Sequence, residues 1–262
     1  MAEPIPAAAP HAAPALWMML PAYNEAANLA PLLTDLAAMH AAWGPGAPRL
    51  QVVVVDDGSR DETAAVARRD YGIPVTVVPH GVNRGLGAAM RTGIEHVLAH
   101  AAPQDWMASM DADHTHPPEL LLGMWARAQA GADLVIASRY QPGAQIHGLV
   151  WYRRLISHGA SWVLRLLFPG ARDYTCGYRL YRVSLLAAGR RRWGADFLNQ
   201  RGFSIMVDLL LKLRRLCRRI DEVPLVLRYD RKQGVSKMKL VRTSVTTLAL
   251  LGRRFVGNPR GP

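Results

Sequence analysis

Residues 52–55 are four consecutive valines, and Asp56-Asp57-Gly58-Ser59 follows them at once. β-Branched side chains are stiff at χ1 and pack well on a pleated surface, so the run reads as a strand. It does not alternate with polar residues, which fits a strand covered on both faces, as in a parallel sheet between helices. The surrounding chain has the matching rhythm. Strands are expected at 16–21, 50–55, 75–79, 106–110 and 134–137, with helices between them at 25–42, 61–70, 87–100 and 118–129. That alternation gives an α/β fold on a doubly wound sheet. Ligands of such sheets lie beyond the carboxyl ends of the strands, and the polar motifs of this chain fall there.

The most chemically pointed of these motifs is Asp111-Ala112-Asp113, directly after the apolar strand candidate at 106–110. Residues i and i+2 of an extended segment face the same way, so the two carboxylates can converge on one divalent ion. Mg²⁺ or Mn²⁺ takes hard oxygen ligands of this kind and leaves positions open for phosphates. Asp-x-Asp also arises by chance in loops, so its weight depends on its neighbours. Pro21-Ala22-Tyr23-Asn24-Glu25 follows the first strand. Asp56 and Asp57 could cap the next helix, or could accept hydrogen bonds from a base edge or a ribose diol. Asn83-Arg84-Gly85-Leu86-Gly87 is a glycine-bearing turn that opens a helix, where backbone N–H groups could meet a phosphate.

The chain has 262 residues, half of them hydrophobic, enough for one large α/β domain or two small ones, and it contains no internal repeat. Residues 1–14 are Ala/Pro-rich with a single charge, Glu3, and are expected to form a disordered tail; they lack the pattern of a signal peptide. Cys176 and Cys217 fit no metal spacing and suit a reducing cytosol. No apolar run reaches the length of a membrane span; 243–251 is closed off by Arg242 and by Arg253-Arg254. Charge is divided unevenly. Residues 1–132 hold 7 Lys+Arg and 13 Asp+Glu, a net −6, whereas 133–262 hold 25 and 7, a net +18, which together make the +12 of the chain. A basic half suits an anionic membrane surface, a phosphorylated substrate or nucleic acid. No RNA- or DNA-binding signature accompanies it, so a nucleic-acid partner is not expected.

Taken in order, Pro21-Ala22-Tyr23-Asn24-Glu25, Val54-Val55-Asp56-Asp57-Gly58-Ser59, Asn83-Arg84-Gly85-Leu86-Gly87 and Asp111-Ala112-Asp113 closely resemble family 2 glycosyltransferases. The resemblance implies the GT-A fold: α/β, with a Rossmann-like mixed, mainly parallel sheet flanked by helices. Further on, His116-Pro117-Pro118-Glu119, Ser138-Arg139-Tyr140, the stretch 173–179 and the stretch 231–238 resemble the polyprenol/dolichol-phosphate mannosyltransferase subgroup. No Gln-x-x-Arg-Trp signature of the cellulose and hyaluronan synthases is present. The resemblance covers about 16–240. It implies one GT-A domain over 15–240, with a nucleotide-binding half at about 15–132 and an acceptor half at about 133–240, then a C-terminal helix and tail at 241–262. It is the form without membrane helices.

By resemblance, the reaction moves mannose from GDP-mannose to a polyprenyl phosphate with inversion at the anomeric carbon, assisted by Mg²⁺ or Mn²⁺ on Asp111 and Asp113. The same resemblance puts Pro21, Tyr23, Glu25, Asp56, Asp57, Asn83, Arg84, Asp111 and Ala112 at the nucleotide. Asp113, Arg139, Arg231 and Lys237 are the expected catalytic set, with Arg139, Arg179 and Ser236 at the acceptor. Arg179 could instead pair with Asp173. Arg231 and Lys237 are expected on a loop bent at Gly234. His114 and His116 are expected to support the ion rather than bind it, and Thr115 stands where many bacterial members carry a Gln that can help hold the metal. Asp208 is either functional or paired with Lys212.

Interfacial amphipathic helices are expected at 150–168, where a polar stripe of Arg154, Ser157, Ser161 and Arg165 runs beside Trp151, Leu155, Trp162 and Leu166, and at 239–255. A peripheral location at the cytoplasmic membrane face follows, and a separate membrane-anchoring protein, as some soluble relatives have, is among the expected partners. Two alternatives stay open: the same lipid acceptor with UDP-glucose or another sugar nucleotide, and an inactive module that binds nucleotide or a lipid surface.

Overall fold

A computed structural model describes residues 13–148, 165, 168 and 170–233 of the chain. Its sheet is laid down by β1 (Ala15–Ala22), β2 (Arg49–Asp56), β3 (Val75–Pro79), β4 (Trp106–Ser109), β5 (Leu134–Ser138), β7 (Arg179–Arg182) and β8 (Ile220–Pro224), in the order β3-β2-β1-β4-β7-β5-β8. Val52–Val55 are all but inaccessible, as a strand covered on both faces must be. The covering helices are α1 (Ala26–Ala42), α2 (Thr63–Ala67), α3 (Leu86–His100), α4 (Leu120–Gln129), α5 (Val183–Trp193) and α6 (Ser204–Leu213). A short parallel pair, β6 (Gln145–His147) with β9 (Val226–Arg228), lies outside the main sheet.

The sheet is parallel except at β7, which runs antiparallel to both β4 and β5. β1 lies between β2 and β4 and runs parallel to each. Strand order therefore reverses at β1, and the crevice between the ends of β1 and β4 is the switch point where such sheets bind ligands. The register sets Ala22 opposite Asp56, while the Met110 amide continues the ladder by donating to Met19 O at 3.2 Å, just before Asp111. All the N-terminal polar motifs thereby emerge on one edge. Loops stitch them together: the Asn24 amide donates to Ser59 Oγ, the Arg60 amide to Asn24 Oδ1 and the Glu25 amide to Thr63 Oγ1.

The expected elements are present with one marked difference. The helix anticipated at 61–70 is only Thr63–Ala67. Asp61 forms a turn just before it, with Oδ1 accepting from the Thr63 amide at 3.0 Å, and Asp70 lies beyond its end, accepting from the Gly72 amide at 2.8 Å. Asp side chains compete for backbone donors in this way and shorten helices. Of the helix expected at 150–168 only Arg165 and Phe168 are among the described residues, and the one at 239–255 lies outside them. Among the described residues, no helix is long and apolar enough to cross a membrane.

One close approach carries the second half of the chain onto the first. Gly87, in the first turn of α3, packs so tightly on the backbone at Gln200 that an added Cβ would collide with that carbonyl oxygen. This contact seats the loop that delivers Phe203 to the crevice. Gly87→Ala is expected to lower the stability of the chain by about 1–3 kcal/mol, the usual cost of overpacking. Urea unfolding checks this, and an unchanged midpoint contradicts it.

Candidate active site

A cavity of about 350 Å³ opens at the switch point, lined from β1 and its loop by Pro21, Ala22, Tyr23 and Glu25, and from the end of β4 by Asp111, Ala112 and Asp113. Asp57, Asn83, Gly85, Leu86 and Ala89 close a second side, and Phe203, Tyr229 and Lys232 a third. The volume lies in the range of small-ligand sites. Of the residues expected at a nucleotide, Pro21, Tyr23, Glu25, Asp57, Asn83, Asp111 and Ala112 line this cavity; Asp56 and Arg84 do not.

Asp56 is buried, and its Oδ1 accepts from the Ser59 amide at 3.0 Å. Asp57 builds the neighbouring loop. Its Oδ1 accepts from the Arg84 amide at 2.9 Å and pairs with His80 Nδ1 at 2.7 Å, while Oδ2 accepts from the Gly85 amide at 2.7 Å. The far side of the His80 ring meets Thr92 Oγ1 at 2.9 Å. The second acid of the pair thus shapes the turn that ends in α3.

The acidic floor has an internal counter-charge. Lys232 Nζ lies 2.6 Å from Asp113 Oδ2, and the Asp113 Oδ1 accepts from Thr115 Oγ1 at 2.6 Å and from the Thr115 amide at 3.2 Å. Burial pushes the Asp111 carboxyl above the ordinary carboxylate range, with Asp113 and Glu25 adding to the rise against His116 and Lys232. Asp113 goes the other way: burial alone would raise it, but the Lys232 ammonium outweighs that and holds it low. Gly177 leaves room for Asp111, since a Cβ there would stand 3.1 Å from Asp111 Oδ1. Asn28 fixes the segment bearing the lysine. Its Nδ2 donates to Gln233 O at 2.9 Å and to Glu25 Oε2 at 2.7 Å, and its Oδ1 accepts from the Gln233 amide at 2.8 Å.

The expected cations distribute differently. Arg139 is engaged by Asp173: Nε donates to Oδ2 at 2.8 Å and an Nη to Oδ1 at 2.7 Å. Arg179, expected at an acceptor, is fully buried, and its guanidinium donates to Met206 O and Tyr174 O, both at 2.7 Å. That placement corrects the expectation, and Asp173 belongs to Arg139 rather than to Arg179. Arg231 does not line the cavity; its guanidinium is 3.6 Å from Asp35, which also meets His114 Nε2 at 2.8 Å. Ser236, Lys237 and Gly234 lie outside the described residues. Asp208 is buried and paired with Lys212 at 2.5 Å, on α6, all of whose residues are buried.

Sequence reasoning passed over Lys232, Asn28, Tyr229 and Phe203. Lys232 stood inside the 231–238 motif, but spacing alone does not say which of two adjacent cations faces the acids. Asn28 sits one turn into α1 and reaches the far end of the described chain; only the tertiary fold discloses that contact.

A family model described as Glycosyl transferase family 2 matches residues 18–190. Polyprenol monophosphomannose synthase of Mycolicibacterium smegmatis is 35% identical over 225 residues, spanning 84% of this chain and 80% of that protein. Undecaprenyl-phosphate mannosyltransferase of Micrococcus luteus is 34% identical over 84% of this chain and 86% of its own length. Among solved structures, glucosyl-3-phosphoglycerate synthase of Mycobacterium tuberculosis superposes with a TM-score of 0.65 at 20% identity, covering 92% of this chain and 80% of that one. Mannosyl-3-phosphoglycerate synthase of Rubrobacter xylanophilus gives 0.63 at 20% identity, covering 94% and 75%. The first of these has also been solved with Mn²⁺ and UDP. At such identity the likeness establishes the fold.

The Arg139–Asp173 pair gives a pH signature. Burial alone would raise the Asp173 carboxyl, but the guanidinium and amide donors outweigh it and hold it at about 2. A group lowered on folding stabilises the native state above its unfolded pKa and loses that contribution as pH falls through the folded value. The chain should therefore lose about 2 kcal/mol between about pH 4 and pH 2 from this group. Asp173→Asn should already cost about 1–3 kcal/mol at neutral pH, because it removes the charge from a wholly buried acceptor and leaves the half-buried Arg139 guanidinium without its counter-ion. Urea unfolding at a series of pH values checks both, and an Asn variant as stable as the parent contradicts the pairing.

Proposed function

The chain belongs to glycosyltransferase family 2, and from that premise we propose that it moves mannose from GDP-mannose to a polyprenyl phosphate, giving polyprenyl-phosphate mannose. The observation that carries the reading is the likeness, above 30% identity and over most of both lengths, to proteins named for mannosyl transfer to polyprenol phosphates. The cavity supports it: the acids of the donor half face Lys232, Tyr229 and Phe203 from the acceptor half across one space.

The acidic floor fits a divalent cation. Asp111 is a carboxyl driven upward by burial beside two other acids, and the Asp113 carboxylate already holds a cationic group, the Lys232 ammonium. Mg²⁺ or Mn²⁺ bound through Asp111 and Asp113 would neutralise the diphosphate leaving group. The start of α3 at Leu86 lines the cavity, where a helix N-terminus favours phosphate, while the Arg84 and Gly85 amides before it are taken by Asp57. Lys232 is placed to exchange Asp113 for the diphosphate once the carboxylates are engaged.

A phosphate monoester, with a second pKa near 6, is largely ionised at neutral pH. One of its oxygens can attack the anomeric carbon directly. The bond to the GDP oxygen breaks, its electron pair leaves with the diphosphate, and the configuration inverts in one displacement. No proton has to be removed, so no general base is required. Arg231, which lies beside Asp35 and outside the cavity lining, is proposed to leave that acid for the charged substrates, and the acceptor's lipid tail implies a peripheral position at a membrane surface.

The experiment is transfer by the purified chain with Mn²⁺ or Mg²⁺, polyprenyl phosphate and a panel of labelled sugar nucleotides. Label should enter the lipid phase from GDP-mannose alone. Label from UDP-glucose alone would replace the donor, and failure with every donor would favour the binding module. Asp113→Asn should lower turnover about 100-fold or more, the scale of losing an electrostatic stabiliser of a leaving group; wild-type turnover contradicts the metal assignment. Arg231→Ala should reduce transfer more than vesicle binding, and equal losses would make Arg231 a membrane contact.

A further inference from the structure

His116 follows the acidic pair by three residues and is only 4% exposed. Its Nδ1 has no hydrogen-bond partner, although buried polar atoms nearly always find one. A ring nitrogen of this histidine and carboxylate oxygens of Asp111 and Asp113 form a group whose atoms all lie within 4.8 Å of one another. We propose that His116 is a protein ligand of the divalent ion, making an Asp–Asp–His site. The inference rests on the metal-dependent reading above and deepens it.

The ring is held in place rather than free to swing. Tyr178 packs on it with ring centroids 5.5 Å apart, and the Tyr178 hydroxyl donates to Pro118 O at 3.3 Å. Pro117 and Pro118 restrict the backbone immediately after it. Thr115, the neighbour that a comparison of motifs singles out, is turned elsewhere: its hydroxyl and its amide both donate to Asp113 Oδ1. His114 is turned elsewhere too, toward Asp35. Of the residues at 114–116, His116 alone is left with a buried nitrogen and no partner.

The chemistry of the donor set has a consequence. Two carboxylates balance a divalent charge, and a neutral imidazole completes the protein ligands without adding negative charge against an incoming diphosphate. An imidazole also favours transition ions over Mg²⁺, which prefers oxygen. The site should therefore select Mn²⁺ over Mg²⁺, and the selectivity should reside in His116.

The test uses the full chain with Mn²⁺ alone, then with Mn²⁺ and GDP. Pulsed electron paramagnetic resonance should show nitrogen modulation of bound Mn²⁺ that changes when the chain is labelled with ¹⁵N-histidine. In His116→Asn that modulation should vanish, Mn²⁺ affinity should fall about tenfold or more, and Mg²⁺ should compete on more equal terms. Bound Mn²⁺ without histidine nitrogen modulation in the parent chain overturns the assignment of His116 while leaving the carboxylate site standing, and this readout does not depend on any variant folding. Absence of Mn²⁺ binding even with GDP overturns both this proposal and the metal-dependent reading.

Discussion

Three carboxylates, those of Glu25, Asp111 and Asp113, are brought to one edge of a sheet and into one another's fields. Like charges in a partly buried crevice repel and lose hydration, so the arrangement persists only with positive charge supplied to it. Lys232 supplies it from 119 residues further along the chain than Asp113. The Asn28–Gln233 clasp then holds the lysine's segment against α1. In this way the need to neutralise the floor of the cleft folds the last described part of the chain over the first. The transfer proposed above, which would bring a diphosphate and a second phosphate together, meets the same electrostatic problem from the opposite side, and under that proposal Lys232 would change partners as substrates arrive.

A second ion pair keeps the later half of the sheet in shape. Asp173 takes both guanidinium arms of Arg139 and the amides of Thr175 and Cys176. Glu222 in turn accepts from the amides of Arg172 and Asp173. These acids are already subtracted in the net +18; among the described residues, Arg179 on carbonyl oxygens and Arg190, Arg231 and Lys232 beside Glu95, Asp35 and Asp113 of the first half are committed further. The net +18 overstates what is offered to a ligand, and Arg179, wholly enclosed among carbonyl oxygens, shows this most plainly.

Strand identity was legible because it depends on local pattern: the valine run of β2 and the apolar stretches of β1 and β4 appear within a residue or two of their expected bounds. The acidic pair was legible for the same reason, as a motif at a strand end. The fate of the arginines was not, since Arg139, Arg179 and Arg231 look alike in sequence and differ only in which oxygens the fold brings to them. Asp57 was half legible. Its place beside the cavity followed from the motif, but its bonds to the Arg84 and Gly85 amides depend on how the third loop returns. The shortness of α2 was missed because Asp61 and Asp70, which count as helix-compatible in a pattern, bind backbone amides instead.

The central claim is that Asp111 and Asp113 hold a divalent ion that joins the protein to a nucleoside diphosphate. Calorimetric titration of GDP into the chain, with Mn²⁺ and again with a chelator, addresses it without requiring turnover. The account predicts binding at least about tenfold tighter with Mn²⁺, a difference of about 1.4 kcal/mol, which Asp113→Asn abolishes. Equal affinity with and without the ion would contradict it.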